Sequence, residues 1–433
     1  MNLAVTNQPA AIETAVFELR HYCPYLGCGE RTNANGRESV CGQCGSSFTV
    51  CHKCGVGNRL LACFCRGCGE NQQTEVWPME AGLRSDIVER ASVKSVGNVQ
   101  APFPLQLGAG VQVSPIAADG LIVIAQSDGV ISLLGEYTGS RLGTLSLGAP
   151  VLVTPALNSG LLFVATGAKL SAFDIASFLD ERALQQLDPI WSEECEGEAI
   201  TQPLLVDDDA VYCLTRSGPR AILHAIAQGS GSQLWRTEFT VERQQLAPPL
   251  LILDQIVVIN TAGEVNLIQR KTGQIEKTFA LNRTLDPQVQ PFAVNNRIYL
   301  SDPRGFIFEL VLGGSGPLIN SLYDCKSRVS SVAASSQFIA VAHMAGITLL
   351  SARGHELWSS DISESVSTTP IVAGESVFAL DDSGNGLLFN VLRANPERRM
   401  KLLPGEAGLT PLITHSQIVV VGADGKVVAF SWH

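Results

Sequence analysis

Eight times between residue 114 and the last residue the chain repeats one pattern, about every 38–48 residues. A small or polar residue precedes proline; an apolar stretch, a turn, a β-rich strand, a second turn and another strand follow. The units start at "SPIAADG" (114), "TPALNSG" (154), "QPLLVDD" (202), "PPLLILD" (248), "QPFAVNN" (290), "SSVAASS" (330), "TPIVAGE" (369) and "TPLITHS" (410). Their second strands align, from "LIVIAQS" to "QIVVVGA", and so do their third strands, from "GVISLLG" to "KVVAFSW". Several of these alternate and several are apolar throughout, as expected of strands covered on both faces. Turns such as "SDG", "TAGE" and "ADGK" supply the glycine that a tight hairpin needs. A strand-built unit of this length must stack on its neighbours to bury its faces. The expected fold is therefore all-β, an eight-bladed β-propeller, with seven blades as the alternative.

The eighth unit stops one strand short at "KVVAFSWH", and "VQAPFPLQLG" (99–108), ahead of the first proline, reads as the missing outer strand. A ring closed by strands from both ends of the repeat array leaves no open sheet edge to invite aggregation. The expected organisation is an N-terminal segment (1–20), a cysteine-rich head (21–72), a linker whose middle could form a short helix (73–98), and the propeller (99–433) closed by a strand near 99–107.

Some units end in a Gly-x-x-x-Trp-like stretch, "GSQLWRTE" at Trp235 and "GHELWSS" at Trp358, with Trp191 of "DPIWSEE" placed similarly. Thr138-Gly139 and Thr272-Gly273 fall at the same stage. These features resemble the quinoprotein-dehydrogenase-like (PQQ-like) β-propellers over about residues 99–433. The Trp-Asp and double-glycine signatures of WD and kelch repeats are missing. The resemblance implies that the tryptophans lock adjacent blades together.

The enzymes of that family resemble one another in an aromatic cofactor floor, a calcium held by carboxylates, a catalytic Asp and often a vicinal disulfide. This sequence has no adjacent cysteines, and Cys195, Cys213 and Cys325 are far apart along it. Cys213, in "AVYCLTR", reads as a buried strand residue. Asp207-Asp208-Asp209 and Asp381-Asp382 fall in turns and read as solvated rather than as calcium ligands. His224, His343, His355, His415 and His433 share no motif. No catalytic or cofactor-binding residue is proposed by the sequence, and the expectation is a protein that is not an enzyme.

Nine of the twelve cysteines lie between positions 23 and 68, eight of them in four pairs. Cys41/Cys44, Cys51/Cys54 and Cys65/Cys68 end in Cys-x-x-Cys-Gly; Cys23/Cys28 has a longer loop but keeps its glycine. Such turns bring two thiolates onto one tetrahedral Zn2+. The eight sulfurs divide into two closed sets, so structural zinc is expected, with no position open for chemistry. Sequential pairing puts Cys23, Cys28, Cys41 and Cys44 on one ion and Cys51, Cys54, Cys65 and Cys68 on the other. The short spacer between Cys44 and Cys51 favours this over an interleaved cross-brace. Cys63 is a spare thiol able to replace Cys65 or Cys68, and His52 reads as a surface residue. The pattern resembles double zinc ribbons over about residues 20–70.

The net charge of −11 belongs to the body: residues 1–98 are balanced, and the remaining 335 carry 21 basic and 32 acidic groups. An acidic propeller repels phosphate backbones, so no nucleic acid is expected as partner. No apolar run is long enough for a membrane span, and "MNLAVTNQPAAIETAVFELRHY" has no positive start followed by an apolar core. A cytoplasmic protein is expected, and paired cysteines in such a chain read as metal ligands. The reading as a whole is a non-catalytic scaffold or adaptor for protein partners within a larger assembly. A PQQ-dependent oxidoreductase and a zinc-ribbon nucleic-acid-binding protein are the alternatives. The second and third units carry extra length in "ASFLDERALQQLDPIW" (176–191) and around "RSGPRAILHAIAQGSGSQ"; the first is a candidate short helix, which either packs on its own blade or docks a partner.

Overall fold

A computed structural model describes residues 38–40, 47–51, 53–59, 96–99, 105–118, 121–135, 139, 141–175, 187–241, 244–313, 316–362, 365–403, 408–413 and 417–432. Between 96 and 432 these form eight antiparallel sheets, six of them with strands paired in sequence order, as an eight-bladed β-propeller. The blades span 116–146, 156–194, 199–240, 250–280, 292–324, 329–361, 371–401 and 412–432.

The apolar runs of the middle strands follow from the stacking of blades. Along Leu121–Ala125 of blade 1, Ile122 and Ile124 pack with Val419 and Val421 of blade 8, whereas Leu121 and Val123 pack with Leu157 and Leu162 of blade 2. One strand thus serves two inter-blade cores, and every residue of it is buried. Outer strands meet a core on one side only and alternate: Gln233–Thr240 and Glu356–Asp361 each bury every second residue after their first.

Blade 8 takes its outer strand from the segment ahead of blade 1. Leu105 and Gln106 pair with Val427 and Lys426, and Val99 and Val96 pair with Phe430 and Trp432. The pairing begins at Val96, three residues ahead of the expected boundary at 99. The last blade thus draws its outer edge from the chain that leads into the first, which ties the two ends of the array together.

In blade 3 the extra length lies in the strands. Ala210–Ser217 and Arg220–Ala227 have eight residues each, long enough for a separate short strand, Ala199–Ile200, to pair with the far end of the first. The helix expected near 176–191 lies, up to residue 186, outside the described residues, as does the linker helix expected within 73–95.

The described part of the head is a three-stranded antiparallel sheet of Glu38–Val40, Ser47–Val50 and Gly57–Arg59. The middle strand pairs with both others and joins the segment of Cys41/Cys44 to that of Cys51/Cys54.

Candidate functional site

Two of the eight predicted zinc ligands, Cys51 and Cys54, are among the described residues; Cys23, Cys28, Cys41, Cys44, Cys65 and Cys68 lie outside them, with Cys63 and His52. The Cys51–Gly55 segment closes on itself. The Gly55 N–H donates to the Cys51 carbonyl at 2.8 Å, and the Cys51 N–H donates to the Val56 carbonyl at 2.9 Å. Gly55 has φ +72°, a left-handed conformation that glycine adopts without strain. Both cysteines are buried against Val56. This tight turn with buried thiols fits one half of a four-sulfur zinc site.

The tryptophans are fixed as inter-blade locks. Trp191 Nε1–H donates to the Gln228 carbonyl of the next blade at 2.6 Å, Trp235 to that of Arg270 at 2.9 Å and Trp358 to that of Val391 at 2.9 Å. A Cβ on Gly231 would lie 2.7 Å from the Trp191 ring, and one on Gly273 would overlap the ring of Trp235. The recurrent glycine is thus the floor on which the previous blade's indole rests. Phe163 and Tyr212 pack on the rings of Trp191 and Trp235 from within the same blade, and Phe389 stacks on Trp358 from the next blade.

The aspartate clusters are only partly solvated, which corrects the reading of them as exposed turns. Asp208 and Asp209 are exposed, but the Asp207 side chain is 5% exposed and joins three blades. Its carboxylate accepts the Asp209 and Ala210 N–H groups at 2.8 Å, the Tyr212 hydroxyl at 2.6 Å and the Arg270 guanidinium of blade 4 at 2.9 Å. Its carbonyl accepts the Asn158 amide of blade 2 at 2.9 Å. Burial and the bond to Asp207 push the Tyr212 hydroxyl well above the usual phenol range. Burial opposes the Arg270 charge, but Asp207 outweighs it and its pKa rises. Asp381, 1% exposed, accepts the Ser383 N–H at 3.1 Å and the Asn385 N–H at 2.8 Å. Asp302 and Asn260 hold the corresponding turns of their blades in the same way. These side chains are turn clasps, with their oxygens turned onto backbone amides.

Two histidines, His224 and His343, are likewise internal, whereas His355 is exposed. His224 is fully buried, with Nε2 beside the Thr215 hydroxyl at 3.0 Å and the Glu196 carbonyl at 3.2 Å, and Nδ1 3.3 Å from the Gln233 amide oxygen. His343 Nε2 lies 2.9 Å from the Thr348 hydroxyl, and its buried Nδ1 has no partner. Burial lowers both pKa values below 6.5. At Asp286, burial alone would raise the carboxyl. Two bonds from Arg328, at 3.0 and 3.1 Å, and one from the Gln288 N–H outweigh it and hold the pKa below the usual range.

A pH dependence follows. His224 and His343 are held neutral in the fold and bind protons more readily when unfolded, so stability falls as pH drops from 6.5 towards their folded values. The Asp286 contribution is present above its unfolded pKa of about 3.8 and is lost as pH falls through the lower folded value. Thermal melts should show a melting temperature that declines on acidification below pH 6.5, with a shallower decline in His343→Gln.

At the axis, a cavity of about 400 Å³ is lined by the segments entering the inner strands of blades 1, 2, 3, 5, 7 and 8. The residues that precede proline at the start of the units, Ser114, Thr154, Gln202, Gln290 and Thr410, are part of that lining. The repeat marker thus doubles as the wall of the channel mouth. Gln112, Thr201, Ser367 and Thr368 complete its polar surface, and Leu152 stands 63% exposed at it. Among the described residues the lining has hydroxyls and amides but no carboxylate, basic group or aromatic ring. It can form neutral hydrogen bonds in both directions. A second cavity of about 280 Å³ opens beside Leu214, Arg216, Val241 and Leu246.

The described strands define an eight-bladed propeller, and its repeats between residues 127 and 312 are of the PQQ-like type. A family model described as outer membrane protein assembly factor BamB matches residues 127–312. Among solved structures, BamB from Moraxella catarrhalis is similar with a TM-score of 0.62 and 16% identity, over 78% of this chain and 100% of that one. Saccharomyces cerevisiae Sqt1 gives 0.60 and 14%, over 78% and 99%. Quinohemoprotein alcohol dehydrogenase from Comamonas testosteroni gives 0.52 and 12%, over 81% and 77%. No curated protein matches in sequence. Identities this low establish a common fold.

Proposed function

We propose that this protein is a non-catalytic, cytoplasmic adaptor whose propeller docks protein partners and whose head is a double zinc ribbon. The observation that carries the reading is the chemistry of the channel mouth, a wall of neutral hydroxyls and amides. Such groups match the peptide bonds and uncharged side chains of another protein. They offer no carboxylate set for calcium and no aromatic floor for a planar quinone. Trp191, Trp235 and Trp358 are committed to neighbouring blades. The matching family model bears the description of an assembly factor, in keeping with a scaffold.

In the head, Cys23, Cys28, Cys41 and Cys44 would hold one zinc, and Cys51, Cys54, Cys65 and Cys68 the second. Both ions would serve the folding of a segment with too small a core to fold alone. Substituting Cys44 by Ser is expected to halve the zinc measured per chain and to leave the propeller's melting temperature unchanged. Loss of both ions would assign the interleaved pairing.

The docking role is tested by affinity purification of the intact chain and of a variant with Leu152 and Thr154 replaced by glutamate, with cross-links mapped by mass spectrometry. A protein recovered in stoichiometric amount, cross-linked near the channel mouth and lost from the variant, is the expected result. A chain recovered alone from its own cells would contradict the reading.

A further inference from the structure

We infer that Cys195 and Cys213 are a modification site, a thiol pair that closes reversibly to a disulfide across the seam between blades 2 and 3. The sequence holds them 18 positions apart and gives no hint of a pair, yet the fold sets their sulfurs 3.4 Å from each other. Both are buried, at 5% and 0% exposure, in the apolar core that also contains Phe163, Leu170, Ile200 and Ile226.

The two backbones are fixed independently. Cys195 follows the outer strand Trp191–Glu194 of blade 2, and its N–H donates to the Ala168 carbonyl of that blade at 3.0 Å. Cys213 sits in the middle of Ala210–Ser217, opposite His224 in the next strand of blade 3. Closing from contact to a disulfide of ordinary length asks for about 1.4 Å of further approach, within reach of small side-chain rotations.

A metal is the other use for two adjacent thiols, and the surroundings argue against it. His224, the nearest titratable group in register, has both ring nitrogens engaged by Thr215, Glu196 and Gln233. Among the described residues, no group of three His, Cys, Asp or Glu is placed to hold an ion.

The reaction needs a two-electron acceptor, and a low-molecular-weight disulfide supplies it. One cysteine thiolate attacks that disulfide, forming a mixed disulfide and expelling one thiol. The second cysteine, after losing its proton, attacks the protein sulfur and expels the other. Two protein thiols and one small disulfide become one protein disulfide and two small thiols. Cys195 is the less deeply buried of the pair and so the first to meet the oxidant. The hydrogen bond with Cys195 and then burial push the Cys213 thiol up, so closure is slow at neutral pH and quickens as pH rises.

The loop closed by the bond contains Thr201, Gln202 and Pro203, which line the channel mouth. Oxidation would therefore stiffen the blade 3 share of that wall. This consequence for docking rests on the adaptor reading; the bond itself does not.

The test exposes the folded full-length chain to oxidised glutathione, blocks free thiols with N-ethylmaleimide in denaturant, and maps the peptides by mass spectrometry. Expected is a cross-linked pair of the Cys195 and Cys213 peptides, reversed by dithiothreitol and formed faster at higher pH. The oxidised propeller should melt at a higher temperature, a gain absent from Cys213→Ala and from Cys195→Ala. Full alkylation of both residues after prolonged oxidation of the folded chain would overturn the inference. So would a cross-link that forms only once the chain is unfolded. Failure of partner capture with the cross-link present would remove the adaptor reading and leave the disulfide standing.

Discussion

Replacing Asp207 by alanine is expected to destabilise the propeller by about 3–5 kcal/mol, the cost of leaving a buried charge without its partner. The substitution leaves the Arg270 guanidinium, 20% exposed, with only the exposed Asp254 carboxylate at 3.8 Å, and removes the acceptor of the buried Tyr212 hydroxyl and of two backbone N–H groups. The effect should be local in origin: Asp208→Ala, one residue along and exposed, should change stability by less than about 0.5 kcal/mol. Pairing Asp207→Ala with Arg270→Met removes the stranded charge and should recover part of the loss. Denaturant melts of the four chains form the cycle that measures this coupling.

The second large effect is expected at the blade lock. Trp235→Ala should cost about 3–5 kcal/mol, because a buried indole and its bond to the Arg270 carbonyl are both lost. Gly273→Ala should cost about 1–3 kcal/mol by overpacking, since its methyl group would overlap the Trp235 ring. The two should not add. With the indole gone, Gly273→Ala should retain only the penalty of its φ of +71°, about 1–2 kcal/mol. Equilibrium unfolding of both single variants and the double variant checks this. Full additivity would mean that ring and glycine do not touch.

The propeller was legible because its physics is periodic. Each blade needs an apolar second strand, an apolar third strand and a glycine turn, and these recur at a spacing readable by eye. What lies between blades was less so. Asp207 looks like any acidic turn residue until the curvature of the ring brings Arg270, 63 positions on, to its carboxylate. Cys195 and Cys213 belong to different blades, so no spacing rule joins them. The channel mouth is half visible in the sequence, where the residue before each proline reads as a punctuation mark of the repeat. Its second role follows only from the ring, which turns Ser114, Thr154, Gln202, Gln290 and Thr410 towards one axis. The zinc ligands differ again. Their reading rests on cysteine spacing, and only the Cys51–Cys54 turn lies among the described residues.

The central claim, that this ring docks proteins and carries out no quinone chemistry, meets its most direct test in a titration. Purified full-length protein is mixed with pyrroloquinoline quinone and calcium, while the quinone absorbance and the propeller's melting temperature are followed. The account predicts an unshifted absorbance and an unchanged melting temperature at every ratio. Saturable binding of one quinone per chain, with a matching rise in melting temperature, would contradict it.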